Sequence, residues 1–343
     1  MSSRVTMADV ARAAGVSRPL VSVVLSGGAG AGADTRDRIL ATAKALGYRP
    51  DAAASMLRSR RSRQVGVVFN PRSSFEADLI EELYTAAAGA DYRIALGAIT
   101  AGRSRQIVAE ELIALRCEAV VVVGAEMDDR LDGLGVPVVV IGERFPSGTA
   151  TTVGTDEWHG AHVAVQHLIT LGHRAIIHVD GGTHPGAAER ARGYADTMAA
   201  AGLRDISRRI PGDYTETGGA EAARALLDSE TLPTAVFLAN DQMAIGFLDV
   251  MRRSGVRVPE TMSVIGYDDS RFSSLAHVDL STVRQDIAGL AGAAFECVAD
   301  HLETADPHPV QSTEFGFFGA RVLEPELVVR GTTAVVSRER CRG

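Results

Sequence analysis

The most constraining feature of this 343-residue chain is the stretch from residue 6 to residue 26, which has the pattern of two short helices joined by a tight turn at Gly15. Thr6 and Ser17 are each placed to cap the start of a helix. Pro19 falls in the first turn of the second helix, where its missing N–H costs little. The pattern predicts a helix-turn-helix, with an ordinary helical hairpin as the alternative.

The side chains of this stretch divide into an apolar seam and a polar side. Arg12, Arg18 and Ser22 face outward once the seam is buried, as a recognition helix does when it meets a DNA major groove. The residues of the seam are Val10, Ala14, Val16, Val21, Val24 and Leu25. The pattern therefore favours a DNA-binding module near the start of the chain.

Charge is distributed unevenly along the chain. Residues 1–63 carry 11 Lys and Arg against four Asp, a net charge of +7, whereas the whole chain has −8 and the remainder therefore −15. A basic head on an acidic body indicates a module that binds a polyanion and a body that does not. A merely solvated charged face would leave the helix-turn-helix pattern unexplained.

A third helix is predicted after a glycine-rich connection at 27–33. Asp34 or Thr35 is placed to cap this helix, and Gly47 is placed to end it. The residues predicted on its apolar face are Ile39, Leu40, Ala43 and Leu46. The connection resembles a phosphate loop in composition only, because no strand precedes it and it matches neither the P-loop nor the dinucleotide pattern.

From residue 64 onward, apolar runs alternate with helical stretches. Continuous Val and Ile runs indicate strands buried on both faces, and their alternation with helices predicts parallel sheets. The predicted strands are 65–69, 94–98, 119–123, 138–141, 175–179, 235–239 and 263–266. The predicted helices are 75–90, 103–115, 157–171, 187–202, 217–228, 241–254 and 286–303.

Short motifs spread over almost the whole chain carry a family resemblance. After the helix-turn-helix come LGYRP at 46–50 and an alanine-rich run ending at Leu57. Further motifs, in the same order as in the family, are LGH at 171–173, Arg190 ahead of Gly193 and Tyr194, ANDQMA at 239–244, VIGYDD at 264–269 and TVRQD at 282–286. Together they resemble the LacI-type (LacI/GalR family) bacterial transcriptional regulators.

The resemblance implies an N-terminal all-α helix-turn-helix DNA-binding domain and an α/β periplasmic-binding-protein-like core. The core would consist of two doubly wound parallel-sheet lobes joined by three crossovers. The implied segments are a head at 1–50, a hinge at 51–61, a core at 62–334 and a tail at 335–343. Lobe one would hold about 62–159 and 287–319, and lobe two about 160–286 and 320–334.

A helix of two turns at the hinge is marginal alone in water. The resemblance implies that this segment folds when two subunits meet on DNA. Leu57 matches the apolar wedge that enters the minor groove, and Arg58 follows it directly. Ala53 and Ala54 match the small residues that let paired hinge helices approach closely. The alternative is that Leu57 is a buried anchor against the DNA-binding module.

The resemblance places Arg18 and Pro19 at the two positions that largely determine which operator bases the family recognises. Arg18 suits the O6 and N7 acceptors of guanine, and phosphate contact is its alternative. Val23 departs from the family, which commonly has Arg there. The DNA-binding residues predicted from the whole head are Thr6, Ser17, Arg18, Pro19, Ser22, Ala54, Leu57 and Arg58.

The lobes of such a core close on a small molecule at the carboxyl ends of the strands. The effector-binding residues predicted there are Phe75, Arg190, Tyr214, Asn240, Asp268 and Gln285. Their amide, carboxylate, guanidinium and aromatic groups suit hydroxyls or a nucleobase edge. Each has a structural alternative, because Asn240 can merely cap a helix and Asp268 can merely order a turn.

The predicted function is a ligand-controlled repressor, a cytoplasmic, nucleoid-associated homodimer on a near-palindromic double-stranded operator. Its effector would be a sugar or a nucleoside. We expect no enzyme activity, cofactor, metal site or membrane partner, since no catalytic constellation or long apolar run occurs and the three cysteines lie far apart. The alternative is a solute-binding or sensor protein without a transcriptional role.

Overall fold

The computed structural model describes residues 5–25, 27–48, 61–126, 129–143, 150–304 and 320–336. It divides the chain into two compact units, Met1–Ser62 and Arg63–Gly343. The first unit contains the helices α1 (Met7–Ala14), α2 (Arg18–Leu25) and α3 (Ala33–Ala45). The helix-turn-helix prediction is confirmed, with Gly15 in the left-handed conformation at the end of α1.

The three helices share one small apolar core. Val10, Val21 and Ile39, one from each helix, are completely buried within it. The start of α3 differs from expectation, because the helix begins at Ala33 after Gly32, which supplies no side-chain cap. Asp34 and Thr35 are therefore inside the helix rather than at its cap. Leu40 and Leu46, predicted on the apolar face of α3, are 44% and 38% exposed.

Lobe one of the second unit is built on a six-stranded parallel sheet with the order β11-β5-β4-β3-β1-β2. Its strands are β1 (Gln64–Phe69), β2 (Arg93–Ala98), β3 (Ala119–Val123), β4 (Val138–Ile141), β5 (Ala150–Thr155) and β11 (Arg321–Leu323). Helices α4 (Ser74–Gly89) and α10 (Ile287–Thr304) pack on one face, and α5 (Arg105–Ala114) packs on the other. Apolar runs such as β3 are buried on both sides for this reason.

Lobe two is built on a four-stranded parallel sheet with the order β7-β6-β8-β9. Its strands are β6 (Ile176–Val179), β7 (Arg208–Ile210), β8 (Ala235–Leu238) and β9 (Ser263–Ile265). Helices α6 (Glu157–Thr170) and α7 (Ala187–Ala200) cover one face, and α8 (Glu216–Leu227) and α9 (Asp241–Arg253) cover the other. Both sheets are thus doubly wound, as the sequence predicts.

The lobe boundaries predicted at the end of the core need one correction. Residues 320–334 were assigned to lobe two, but β11 pairs in parallel with β5 in the sheet of lobe one. The chain crosses to lobe two only after Leu323, where β12 (Glu326–Val328) pairs antiparallel with β10 (Thr282–Arg284). The error arises because β11 is only three residues long and carries no apolar run. None of the helices in the described residues is long and apolar enough to cross a membrane.

Candidate functional site

The first turn of α2 presents polar groups to solvent. The Ser17 hydroxyl accepts a hydrogen bond from the Leu20 N–H at 3.4 Å, which supports the start of the helix. Arg18 and Pro19 are both exposed, and Arg18 has neither a hydrogen bond nor an ion pair with any described residue. Ser22 is half-buried one turn later. The guanidinium group of Arg18 is therefore available to a partner.

Thr6 has a structural task in the first unit. Its hydroxyl oxygen accepts from the Asp9 N–H at 3.4 Å, and its own backbone N–H donates to Oδ2 of Asp9 at 3.0 Å, which together form a capping box at the start of α1. Asp9 also pairs with Arg12 at 3.1 Å on an exposed surface. The predicted hinge residues Ala54, Leu57 and Arg58 lie outside the described residues, so their roles stay predictions.

A cavity of about 380 Å³ opens between the two lobes of the second unit. It lies at the carboxyl ends of the parallel strands, as expected for open α/β sheets. The structure brings all six predicted effector-binding residues to its wall, namely Phe75, Arg190, Tyr214, Asn240, Asp268 and Gln285. The volume is in the range of small-molecule sites.

Arg190 lies in the first turn of α7 and is only 4% exposed. Its Nε donates to Oε2 of Glu157 at 2.7 Å, and its Nη1 lies 3.7 Å from Oδ1 of Asp268. Its guanidinium carbon also stands 3.7 Å from the ring centroid of Tyr267, a cation–π distance. Two carboxylates and an aromatic face thus hold this buried cation at the cavity wall.

Asp268 follows β9 with a backbone φ of 114°, an uncommon conformation for a residue with a side chain. Its N–H donates to the Val283 carbonyl oxygen at 2.7 Å, and its Oδ1 accepts from Nε2 of Gln285 at 2.8 Å. Burial raises the pKa of Asp268 to about 7, although the nearby Arg190 opposes the shift. This carboxyl group thus lies between the guanidinium of Arg190 and the amide of Gln285 at the cavity wall.

Asn240 caps the start of α9, which is the structural role given above as the alternative to effector binding. Its Oδ1 accepts from the Met243 N–H at 2.9 Å at the start of α9, while its Nδ2 donates to the Tyr214 carbonyl oxygen at 3.1 Å. The Tyr214 ring stacks on His184 with centroids 5.4 Å apart, and its hydroxyl donates to the Pro185 carbonyl oxygen. The cap therefore also fixes an aromatic face at the cavity wall.

Several polar residues at the cavity were not predicted from sequence. They include Glu76, Arg105, Glu143, Thr155, Glu157 and His184. Glu76 sits in the first turn of a helix that follows the buried strand β1, which is the one sequence signal that could have identified it, whereas the helix of Arg105 follows β2, a strand with exposed positions. Glu157 opens α6 soon after β5, but β5 has no apolar run, so the sequence contains no such signal for Glu157.

Comparisons with known proteins agree with this architecture. A family model described as bacterial regulatory proteins, lacI family, matches residues 6–51, and one described as periplasmic binding protein-like domain matches residues 165–333. Catabolite control protein A of Priestia megaterium is 30% identical over 319 residues, which span 90% of this chain and 96% of that relative.

Two solved structures extend the similarity to the complete fold. The lac repressor dimer bound to operator and the anti-inducer ONPF has a TM-score of 0.80 at 25% identity, covering 97% of this chain and 100% of that chain. A complex of the transcriptional regulator CelR with cellobiose has a TM-score of 0.67 at 30% identity, covering 96% and 100%. Both similarities include the helix-turn-helix unit as well as the two-lobed core.

Proposed function

This chain belongs to the lacI family of bacterial regulatory proteins, and from that premise we propose that a small polar molecule in its cleft controls its affinity for an operator. The chain is a transcriptional regulator of the repressor type. It binds a near-palindromic operator as a homodimer, in the cytoplasm at the nucleoid, and it is not an enzyme. The effector is a sugar or a nucleoside-like molecule.

One observation carries this proposal: a single chain combines an exposed recognition helix, α2, with a polar cavity between the two lobes of the core. Arg18 stands free on the first turn of α2, and Arg190 and Asp268 bring opposite charges to the cavity. The CelR relative holds cellobiose, and the lac repressor holds both operator and a small ligand. A solute-binding protein has no need of the helix-turn-helix, so the alternative function is not favoured.

Six of the predicted residues receive a role in this function. Arg18 and Pro19 face the operator bases, and Leu57 of the hinge opens a base step in the minor groove. Arg190, Asp268 and Asn240 bind hydroxyl or amide groups of the effector. Effector binding changes the relative orientation of the two lobes, and this orientation decides whether the hinges of two subunits can pair. The effector site and the operator-binding site are thereby coupled through a two-state element.

The test uses the full chain and a pool of random DNA duplexes. Repeated selection of bound duplexes should enrich a near-palindromic sequence, whose affinity is then measured by fluorescence anisotropy. A thermal-shift screen of sugars and nucleosides should identify a ligand that raises the melting temperature by mass action. That ligand should change operator affinity. A pool that stays random after selection contradicts the proposed function.

A further inference from the structure

The recognition helix α2 contains an apolar residue that the core of the first unit does not use. Val21 and Val24 of this helix lie in that core, where they are 0% and 3% exposed. Val23 is half-buried, and among the described residues it belongs neither to that core nor to the partly buried apolar residues that pack against it. The packing of the three helices therefore does not explain a valine at this position.

Helical geometry places Val23 beside Pro19. The two residues are four positions apart, so they are neighbours on one face of α2, and this face points away from the core. Pro19 is exposed there, and Arg18 and Ser22 flank the pair. Arg18 is the only charged residue of the helix. The outward face of α2 thus combines one cation and one hydroxyl with two adjacent apolar side chains.

Helix stability does not explain the valine either. A β-branched side chain loses rotational freedom in a helix, so alanine, arginine, lysine and glutamate are more favourable where a position has no packing role. The same restriction holds the side chain of Val23 in one orientation. A Cβ built at Gly30 would stand 3.7 Å from its Cγ1 methyl group. Because Gly30 has no side chain, the glycine-rich connection leaves this methyl group uncovered on that side.

We propose that Val23, together with Pro19, contacts the C5-methyl groups of thymines in the operator half-site, so that Val23 is a specificity-determining residue. A hydrocarbon side chain makes no hydrogen bond to a base edge or a phosphate, and the apolar group that a base pair presents in the major groove is the thymine methyl. This inference rests on the proposed function and describes its operator more closely. The half-site contains A·T pairs opposite this face of α2, and guanine is left to Arg18.

The experiment uses the full chain and the operator enriched by selection. Each thymine of one half-site is replaced in turn by deoxyuridine, which removes the methyl group and keeps every hydrogen-bonding group of the base. Fluorescence anisotropy then measures the affinity of each duplex. For at least one replacement, the parent should bind about fourfold more weakly, which is the effect of leaving one methyl group unburied.

The variant Val23→Ala assigns that methyl group to its partner. It should bind the unmodified operator about fourfold more weakly than the parent does. It should also no longer respond to deoxyuridine at the thymine that Val23 contacts, because two changes that remove the same contact are not additive. The salt dependence of binding should equal that of the parent, since no cation is lost.

A matched control makes the same change outside the first unit. Val335→Ala replaces a valine that is 73% exposed in the second unit, and it should bind every duplex as the parent does. The melting temperature of Val23→Ala should also equal that of the parent, because Val23 lies outside the core of the three helices.

Two results overturn the inference. One is a parent protein that binds every deoxyuridine duplex as tightly as the unmodified operator, a measurement that needs no variant. The other is a Val23→Ala protein that keeps the full response of the parent at every thymine. The proposed function survives both results, because an operator has then been selected. A pool that stays random after selection contradicts that function itself and overturns this inference with it.

Discussion

The side-chain amide of Gln285 donates from Nε2 to Oδ1 of Asp268 at 2.8 Å. Oε1 of Gln285 accepts in turn from the Thr155 hydroxyl at 2.7 Å. Thr155 is the last residue of β5, after which the chain first crosses to lobe two. Gln285 follows β10, where the chain returns to lobe one. This chain of hydrogen bonds therefore ties the cavity wall to two of the crossovers, so a ligand that contacts Asp268 acts directly on the joint between the lobes.

Removing the Asp268 carboxylate should weaken effector binding. In Asp268→Ala, the effector loses a buried hydrogen-bond partner, so its affinity should fall about ten- to hundredfold by calorimetry. Operator affinity without effector should barely change, and the variant should no longer respond to its signal. Asp249→Ala, at an exposed position of α9, is the control and should behave as the parent. Normal effector binding by Asp268→Ala would assign the residue to the fold alone.

Loss of the free guanidinium on α2 should weaken operator binding. Arg18→Ala should cost about 1–3 kcal/mol on the selected operator if Arg18 contacts a guanine. Titrations on operators with single base changes then show lost discrimination at one position. If Arg18 contacts only phosphate, binding falls similarly on every sequence and the salt dependence becomes shallower. Unchanged affinity on all duplexes would remove Arg18 from the interface.

The order of strands and helices in the core could be predicted because buried parallel strands are apolar along their whole length. All seven predicted strands occur within one residue of their expected bounds. Five further strands of the described residues were not predicted, and β5 was missed because its sequence, ATTVGT, contains three threonines and no apolar run. Thr151 is nevertheless buried there, since its hydroxyl pairs with Nε2 of His301 on α10 at 2.8 Å. Such a distant partner leaves no local signal in the sequence.

The candidate site was predictable on the side of lobe two and much less so on the side of lobe one. Asn240 and Asp268 follow apolar strands directly, so the position of each at a strand end is visible in the sequence. Glu76 lies inside an ordinary helical pattern, one residue after Phe75. Only the fold shows that the helix turns this carboxylate toward Asn70 and the cavity rather than toward solvent.

Shortening the hinge wedge should reduce DNA bending. Leu57→Ala should lower operator affinity and the bend angle measured by fluorescence resonance energy transfer, because an apolar side chain between base steps offsets the cost of unstacking. The melting temperature of the core and effector binding should stay as in the parent. A normal bend angle, or a markedly less stable protein, would favour the alternative in which Leu57 is a buried anchor.

The stability of the core should depend on the protonation of Glu76. Burial raises the pKa of Glu76 to about 7 from an ordinary value of 4.5, with the Asn70 N–H and Arg105 opposing the shift. Between these two values, the folded state holds a proton that the unfolded state has lost. This group therefore makes the protein less stable as pH rises from about 4.5 to about 7.

Glu76→Gln lacks this titration, so its melting temperature relative to the parent should rise across that pH interval and level off above pH 7. Asp268, whose pKa is also raised to about 7, titrates in both proteins and cancels in the difference. This difference in melting temperature is measured by thermal melts between pH 5 and pH 8. The proteins compared are the parent, Glu76→Gln and the exposed control Glu81→Gln. The control should show a constant difference from the parent. A constant difference for Glu76→Gln as well would mean that this carboxyl group keeps an ordinary pKa and is ionised throughout.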